Sequence, residues 1–293
     1  MRVTEKMMFE TGRVNTGLAR TKLEQAVAEV SSGKRIRHPS DDPAGSALLT
    51  RARLTHDRFE AIKDTVGRAS DELNIAEGVM GELSNVVQRG REMAMQMSSS
   101  QFGPDDRAAS AQEVDGLLQT LVGLMNTEVA GRYIFGGFQD GVPPFDANGG
   151  YLGDAGVRQV EIAPGVFEPV SLRVDVAVKG AGGGVDIPRV LSDFAAALRS
   201  NDIAGIQGAL EGFDSSLTQV SAARMDAGAS LNILQTAEQV SMFGRDHMKI
   251  QLVEISETNL AESATRLALA NTALEAAISA TAQSFRFTLL DKL

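Results

Sequence analysis

Stepping alternately by four and three residues meets Leu48, Ala52, Thr55, Phe59, Ile62, Val66, Ala69, Leu73, Ala76, Met80, Leu83, Val87, Gly90, Ala94 and Met97. Thirteen of these fifteen positions are apolar; Thr55 and Gly90 are the exceptions. Apolar residues recurring every half-heptad over this length draw one stripe along a single helix. No proline interrupts the run between Pro43 and Pro104. At 1.5 Å per residue such a helix is roughly 80 Å long, longer than a compact domain of this size is wide. It therefore needs parallel company along its length.

Other stretches supply that company. Residues 1–32 read as a helix with a thin stripe of Leu18, Leu23, Val27 and Val30, ended by Gly33 as helix C-termini often are. So little apolar surface leaves it marginal alone and ordered by partners. Pro39 and Pro43 mark a connector; Asp42 before Pro43 reads as an N-cap and first helical position, with Ser40 and Asp41 adding acceptors and negative charge at the same helix start. A second helix is expected from Asp105 to Arg132, with Val114, Leu117, Leu118, Leu121, Leu124, Met125 and Val129 on its apolar face. The short serine, glycine and proline turn before it makes the two an antiparallel hairpin. A last long helix is expected over Ile250–Leu290 on the positions Ile250, Val253, Glu257, Leu260, Ala264, Leu267, Asn271, Leu274, Ile278, Thr281, Phe285 and Thr288. Leu289 and Leu290 near the end are apolar residues that suit contact with a neighbour.

The period changes in the middle. Tyr133 and Phe135 alternate across Ile134 and run into Gly136 and Gly137, a strand-like pattern. From Phe138 to Pro188 glycine and proline rise; Leu172, Val174, Val176 and Val178 alternate with Ser171, Arg173, Asp175 and Ala177 as a half-buried strand, and Pro164-Gly165 reads as a turn between strands. The run Gly180–Gly184 lacks the Gly-Lys-Ser/Thr of a phosphate loop and reads as a flexible return. The fold class expected is mainly α: an elongated bundle of long antiparallel heptad helices with a small inserted β-rich domain. Its segments are an N-terminal assembly helix and connector (1–43), a first part of the central bundle (44–137), the insert (138–188), the returning bundle (189–249) and a C-terminal assembly helix (250–293). The insert interrupts the helices without sharing their period, so it is expected to be separable from them.

Both ends are thus weak heptad helices that gain most by packing against copies from other subunits. That makes Leu18, Leu23, Val27, Val30, Leu260, Leu267, Leu274, Ile278, Phe285, Leu289 and Leu290 the expected assembly surface. Composition narrows the alternatives. A net charge of −10 disfavours nucleic acid as a partner. The absence of cysteine removes disulfides and thiolate metal sites. The first thirty residues are too charged for a secretion signal, and Leu267–Phe285 holds too many polar groups for a lipid span, so no membrane partner is expected. His38, His56 and His247 stand apart in the sequence, and no nucleophile or zinc motif accompanies them. Asp41 and Asp42, an adjacent carboxylate pair at a helix start, lack ligand-spaced companions and suit capping better than metal. No enzyme, cofactor or metal is expected.

The run from Gly33 to Gly45, with Pro39-Ser40-Asp41-Asp42-Pro43 at its centre, lies between a terminal helix and a long heptad helix. In this it resembles the flagellin superfamily, and within it the hook-associated members; flagellins proper usually have alanine at Pro43. Tyr133, Phe135 and Gly136 are similar to the same group's pattern at the exit from its second helix, and Arg224, Gly228, Asn232 and Leu234 match more loosely. The resemblance implies a structural subunit at the junction between hook and filament. It implies export through the flagellum's own channel, and an extracellular place on the bacterial flagellum. It also implies four partners: a neighbouring hook-associated protein, flagellin, copies of itself in a homo-oligomeric layer, and an export chaperone on the C-terminal helix. A flagellin of the filament itself is the near alternative; a cytoplasmic coiled-coil signalling module is the distant one.

Overall fold

A computed structural model describes residues 2–290, with side chains for 6–7 and 9–283. In chain order the elements are α1 (Arg2–Ser32), α2 (Pro43–Met97), α3 (Pro104–Met125), β1 (Glu128–Val129), β2 (Arg132–Tyr133), β3 (Gln159–Ala163), β4 (Val166–Pro169), α4 (Val174–Ala177), α5 (Ile187–Arg199), α6 (Ile203–Ser256) and α7 (Leu260–Leu290). The fold is mainly α with a small β portion. Two compact units are distinguishable: one uses the chain up to Arg58 and from Gly244 onward, the other is Phe59–Phe243.

In the second unit the heptad stripe of α2 is the spine of the core. Ile62, Val66, Ala69, Leu73, Ala76, Met80, Leu83, Val87, Gly90, Ala94 and Met97 are all buried, as a seam of this spacing requires. α6 answers with a strict seven-residue series, Ile206, Phe213, Val220, Ala227, Leu234 and Ser241, also buried throughout. The two helices run antiparallel, with Arg224 on Glu77 at 2.6 Å and Arg91 on Asp214 at 2.5 Å. α3 returns along α2 as a hairpin, with Arg89 on Glu113 at 2.6 Å, and α5 packs on α3.

Gly90 explains its own place in the stripe. A Cβ there would lie 2.7 Å from Phe213 Cε1 and 3.3 Å from Leu191 Cδ2. Phe213 stands edge-on to Phe194, ring centroids 5.4 Å apart, and both rings are buried, so neither can yield. Gly90→Ala is expected to destabilise by about 1–2 kcal/mol, because overpacking of roughly 1–3 kcal/mol outweighs the helix propensity gained. Gly78→Ala on the same helix meets nothing within 4 Å and is expected to stabilise by about 0.5–1 kcal/mol. Paired urea titrations read both, and equal signs would show that the ring contact is unimportant.

Several sequence expectations are corrected. The second helix stops at Met125, seven residues short of Arg132, and Asn126 ties its end to the insert. Its amide donates to Phe145 O and its carbonyl accepts from Phe145 N, each at 2.9 Å. Beyond it Glu128–Tyr133 closes as a tiny hairpin through Ala130 and Gly131, at φ 52° and 80°, a pair of left-handed residues that matches strand twist. The expected strand over Ser171–Val178 is instead the short helix α4. Val174, Ala177 and Val178 go into the core and Val176 faces out, a three-and-four spacing hidden inside an alternating run. The insert's one longer hairpin is β3–β4, turned by Pro164-Gly165. Nor is the insert separable: Phe145, Val174, Val178 and Ile187 are buried in the same cluster as Leu83, Leu121 and Phe213. Its glycine run is a closed turn, Gly184 N donating to Gly180 O at 2.9 Å, pinned by Gln219, which accepts from Val185 N and donates to Ala177 O.

The last long helix is corrected as well. It is broken at Glu257–Asn259 into the end of α6 and a new helix, α7. Asn259 accepts from Ala261 N at 3.0 Å, and the sequence spacing Asn259 to Glu262 is that of a capping box. This was a readable start signal inside an otherwise unbroken heptad run.

Candidate assembly interface

In the first unit α1 and α7 lie side by side and antiparallel. α1 turns Gly12, Thr16, Ala19, Leu23, Ala26 and Val30 inward; α7 turns Ser263, Leu267, Ala270, Leu274, Ala277 and Thr281. Most of these are small, so the helices approach closely. A Cβ on Gly12 would lie 3.1 Å from Thr281 Cγ2, and the Thr16 and Thr281 hydroxyls are 3.4 Å apart. A seam of small residues buries little apolar area, and stabilisation near 25 cal/mol per Å² is correspondingly slight.

Polar contacts fasten one end of the pair. The Glu29 carboxylate accepts from Arg266 at 2.6 Å, from the Thr258 hydroxyl at 2.6 Å and from the Ser263 hydroxyl at 3.2 Å. Beside it the two strands that leave α1 and enter α7 are zipped together. Arg35 N donates to Ser256 O at 2.8 Å and Thr258 N to Gly33 O at 3.1 Å. The Arg35 guanidinium donates to Ile255 O at 3.2 Å and pairs with Asp42 at 3.0 Å.

The connector motif is therefore architectural. Asp42 caps α2 by accepting from Gly45 N at 2.8 Å, one residue before Pro43 opens the helix. Asp41 accepts from His38 N at 2.8 Å and Arg37 N at 3.1 Å, folding the connector back on itself. These donors hold both carboxyls below their ordinary value of 3.8: for Asp41 chiefly the His38 and Arg37 amides, for Asp42 the Gly45 amide and then Arg35. Ser40 is exposed with Pro39 and Pro43. The second motif lies in the other unit. Phe135 and its neighbour Ile134 are both buried, Tyr133 is half-buried, and a Cβ on Gly136 would lie 2.4 Å from Gln139 O. The expected alternation across Ile134 is absent because the chain there is a turn leaving a two-residue strand.

The residues expected to form the assembly surface divide into two sets. Leu23, Val30, Leu267 and Leu274 are half-buried within the α1–α7 seam. Leu18, Val27, Leu260 and Ile278 are outside it, with Leu18 58% and Ile278 51% exposed. The side chains of Phe285, Leu289 and Leu290 lie outside the described residues. Of the positions expected on this helix, Leu267, Leu274 and Thr281 lie in the seam, while Leu260, Ala264, Asn271 and Ile278 are exposed. Sequence reading named Leu18 but missed Met7 and Val14, which with it recur at seven and four residues on the outward face of α1 and are exposed. Phe9 and Leu269 add to the apolar surface. Twin stripes on a single thin helix are the available signal for this. Among the described residues no helix is long and apolar enough to cross a membrane, and no three metal-ligating side chains gather.

Residues 4–140 match the family model for the bacterial flagellin N-terminal helical region. Flagellar hook-associated protein 3 of Salmonella typhimurium is 25% identical over 285 residues, covering 88% of this chain and 89% of that one. A flagellin of Listeria monocytogenes is 31% identical over 99 residues, 34% of each chain. The crystal structure of FlgL from Xanthomonas campestris superposes with a TM-score of 0.61 at 20% identity, over 70% of this chain and 99% of that one.

Proposed function

We propose that this chain is a member of the flagellin superfamily and a structural subunit of the bacterial flagellum, seated at the junction between hook and filament. The observation that carries the choice is extent. Similarity to the hook-associated relative covers 88% of this chain and 89% of that one, whereas similarity to flagellins covers between about a third and 62% of this one.

In this reading the outward faces of α1 and α7 meet copies of the same chain in one layer. The apolar residues left exposed on so thin a pair support it, since surfaces of this kind mark interaction sites. Leu18, Val27, Leu260 and Ile278 are the contacts between copies, while Leu23, Val30, Leu267 and Leu274 hold each pair together. A neighbouring hook-associated protein lies on the hook side and flagellin on the filament side. Export proceeds through the flagellar channel, with a chaperone covering the C-terminal helix beforehand. The role is structural and not catalytic. Immunogold electron microscopy on intact cells tests it: one short band of label where hook meets filament is expected. Label along the whole filament would make the chain a flagellin.

A further inference from the structure

Residues 221–230 of α6 are mostly small: apart from Arg224, Met225 and Asp226 they are serine, alanine and glycine. Ala222, Ala223 and Ala227 therefore form a shallow wall, and Leu172 and Val176 of the insert stand opposite without filling the space between. Leu73 of α2, itself 2% exposed, closes the inner end. What is left is a cavity of about 480 Å³, wholly within the second unit. Well-packed interiors seldom leave a gap larger than a water molecule, whereas ligand sites hold about 300–1,000 Å³ between mostly apolar walls. At about 30 Å³ per water-sized group, this one has room for roughly a dozen non-hydrogen atoms.

The polar groups around the cavity decide what its occupant carries. Gln219 is spent: it accepts from Val185 N at 2.9 Å and donates to Ala177 O at 3.1 Å and Val185 O at 3.0 Å. Ser230 donates to Glu168 at 2.9 Å, and Ser171 accepts from Arg158 N at 2.9 Å. Arg173 pairs with Asp175 at 2.5 Å, so their charges cancel. Asp226 remains, an exposed carboxylate lining the cavity with no ion pair or hydrogen bond among the described residues. The wider field has the same sign: Phe59–Phe243 carries 12 Lys and Arg against 25 Asp and Glu, which draws cations in and repels anions. We propose that this cavity binds a small amphipathic cation, its apolar body between Leu73, Leu172 and the alanine wall and its ammonium group toward Asp226. Burial of the body drives binding, and the unpaired carboxylate selects the charge. The inference does not depend on the assembly reading.

The test titrates the full chain with n-octylammonium, n-octanol and n-octanoate at neutral pH and low ionic strength, read by ligand-observed NMR. Octylammonium is expected to bind about three- to fivefold more tightly than octanol, the worth of one exposed ion pair, and octanoate more weakly than either. Asp226→Asn changes an exposed group without partners; it is expected to remove the preference for the amine and to leave octanol binding as it was. Ala222→Leu fills the cavity and is expected to weaken octylammonium and octanol at least about tenfold. Thermal melting confirms that each variant folds, and Asp226→Asn decides alone if Ala222→Leu does not. Equal affinity for the three compounds overturns the inference, since the cavity would then be an apolar gap without choice of charge. Octylammonium binding that survives Ala222→Leu overturns it by placing the amine elsewhere on the acidic surface. Failure of octylammonium to bind up to its solubility limit overturns it outright.

Discussion

Arg107→Ala is expected to destabilise the second unit by about 3–5 kcal/mol, because it strands three carbonyl acceptors at about 1–3 kcal/mol each. Arg107 is 5% exposed. Its guanidinium donates to Met97 O at 2.9 Å, Ser99 O at 3.0 Å and Asn201 Oδ1 at 2.5 Å. One side chain thereby serves the end of α2, the turn into α3 and the turn between α5 and α6, where Asn201 holds a left-handed φ of 53°. Removing it leaves carbonyls without donors in a place water reaches poorly. A domain of this size loses about 2–4 °C per kcal/mol, so circular dichroism melting falls by roughly 10 °C. Arg107→Lys keeps the charge but not the planar fork, and recovers only part of the loss. A shift under about 1 kcal/mol would mean that the turns hold themselves.

Deleting residues 260–293 is expected to abolish incorporation into the flagellum while leaving the second unit cooperatively folded. The cut falls at the α6–α7 break, so it removes α7 and spares the whole of α6. α1 then loses the seam through Leu23 and Ala26 and the anchor at Glu29, and a helix with so thin a stripe does not persist alone. The core around Leu83, Phe135 and Phe213 lies entirely in the other unit and keeps its contacts. Differential scanning calorimetry and a count of labelled junctions check the two halves. A cooperative transition lost with the deletion would show that the terminal pair is part of one folding unit with the rest.

How much was readable differs by element. α2 was legible nearly to the residue, because eleven buried positions from Ile62 to Met97 follow one period and nothing breaks it. Even so, its first predicted position faces solvent: Leu48 is exposed and Leu49 buried. The connector caps at Asp41 and Asp42 were legible because capping is local chemistry within three or four residues. The end of α3 was not. Its apolar face continues to Val129, and what stops the helix is Asn126 bonding Phe145, nineteen residues away.

The sequence by itself determined the long α2 helix, its antiparallel hairpin with α3, and the resemblance to the flagellin superfamily. All rest on period, local capping and short motifs, which are properties of neighbouring residues. Tertiary structure alone decided that Ser171–Val178 coils into α4, that the insert shares the main core, and that Gly90 admits a phenylalanine ring. It also decided which face of each terminal helix is left over. A stripe in the sequence says that a face is apolar. Only packing shows whether its own chain already covers it: the α1–α7 seam takes Leu23 and Leu274 and leaves Leu18 and Ile278 to solvent.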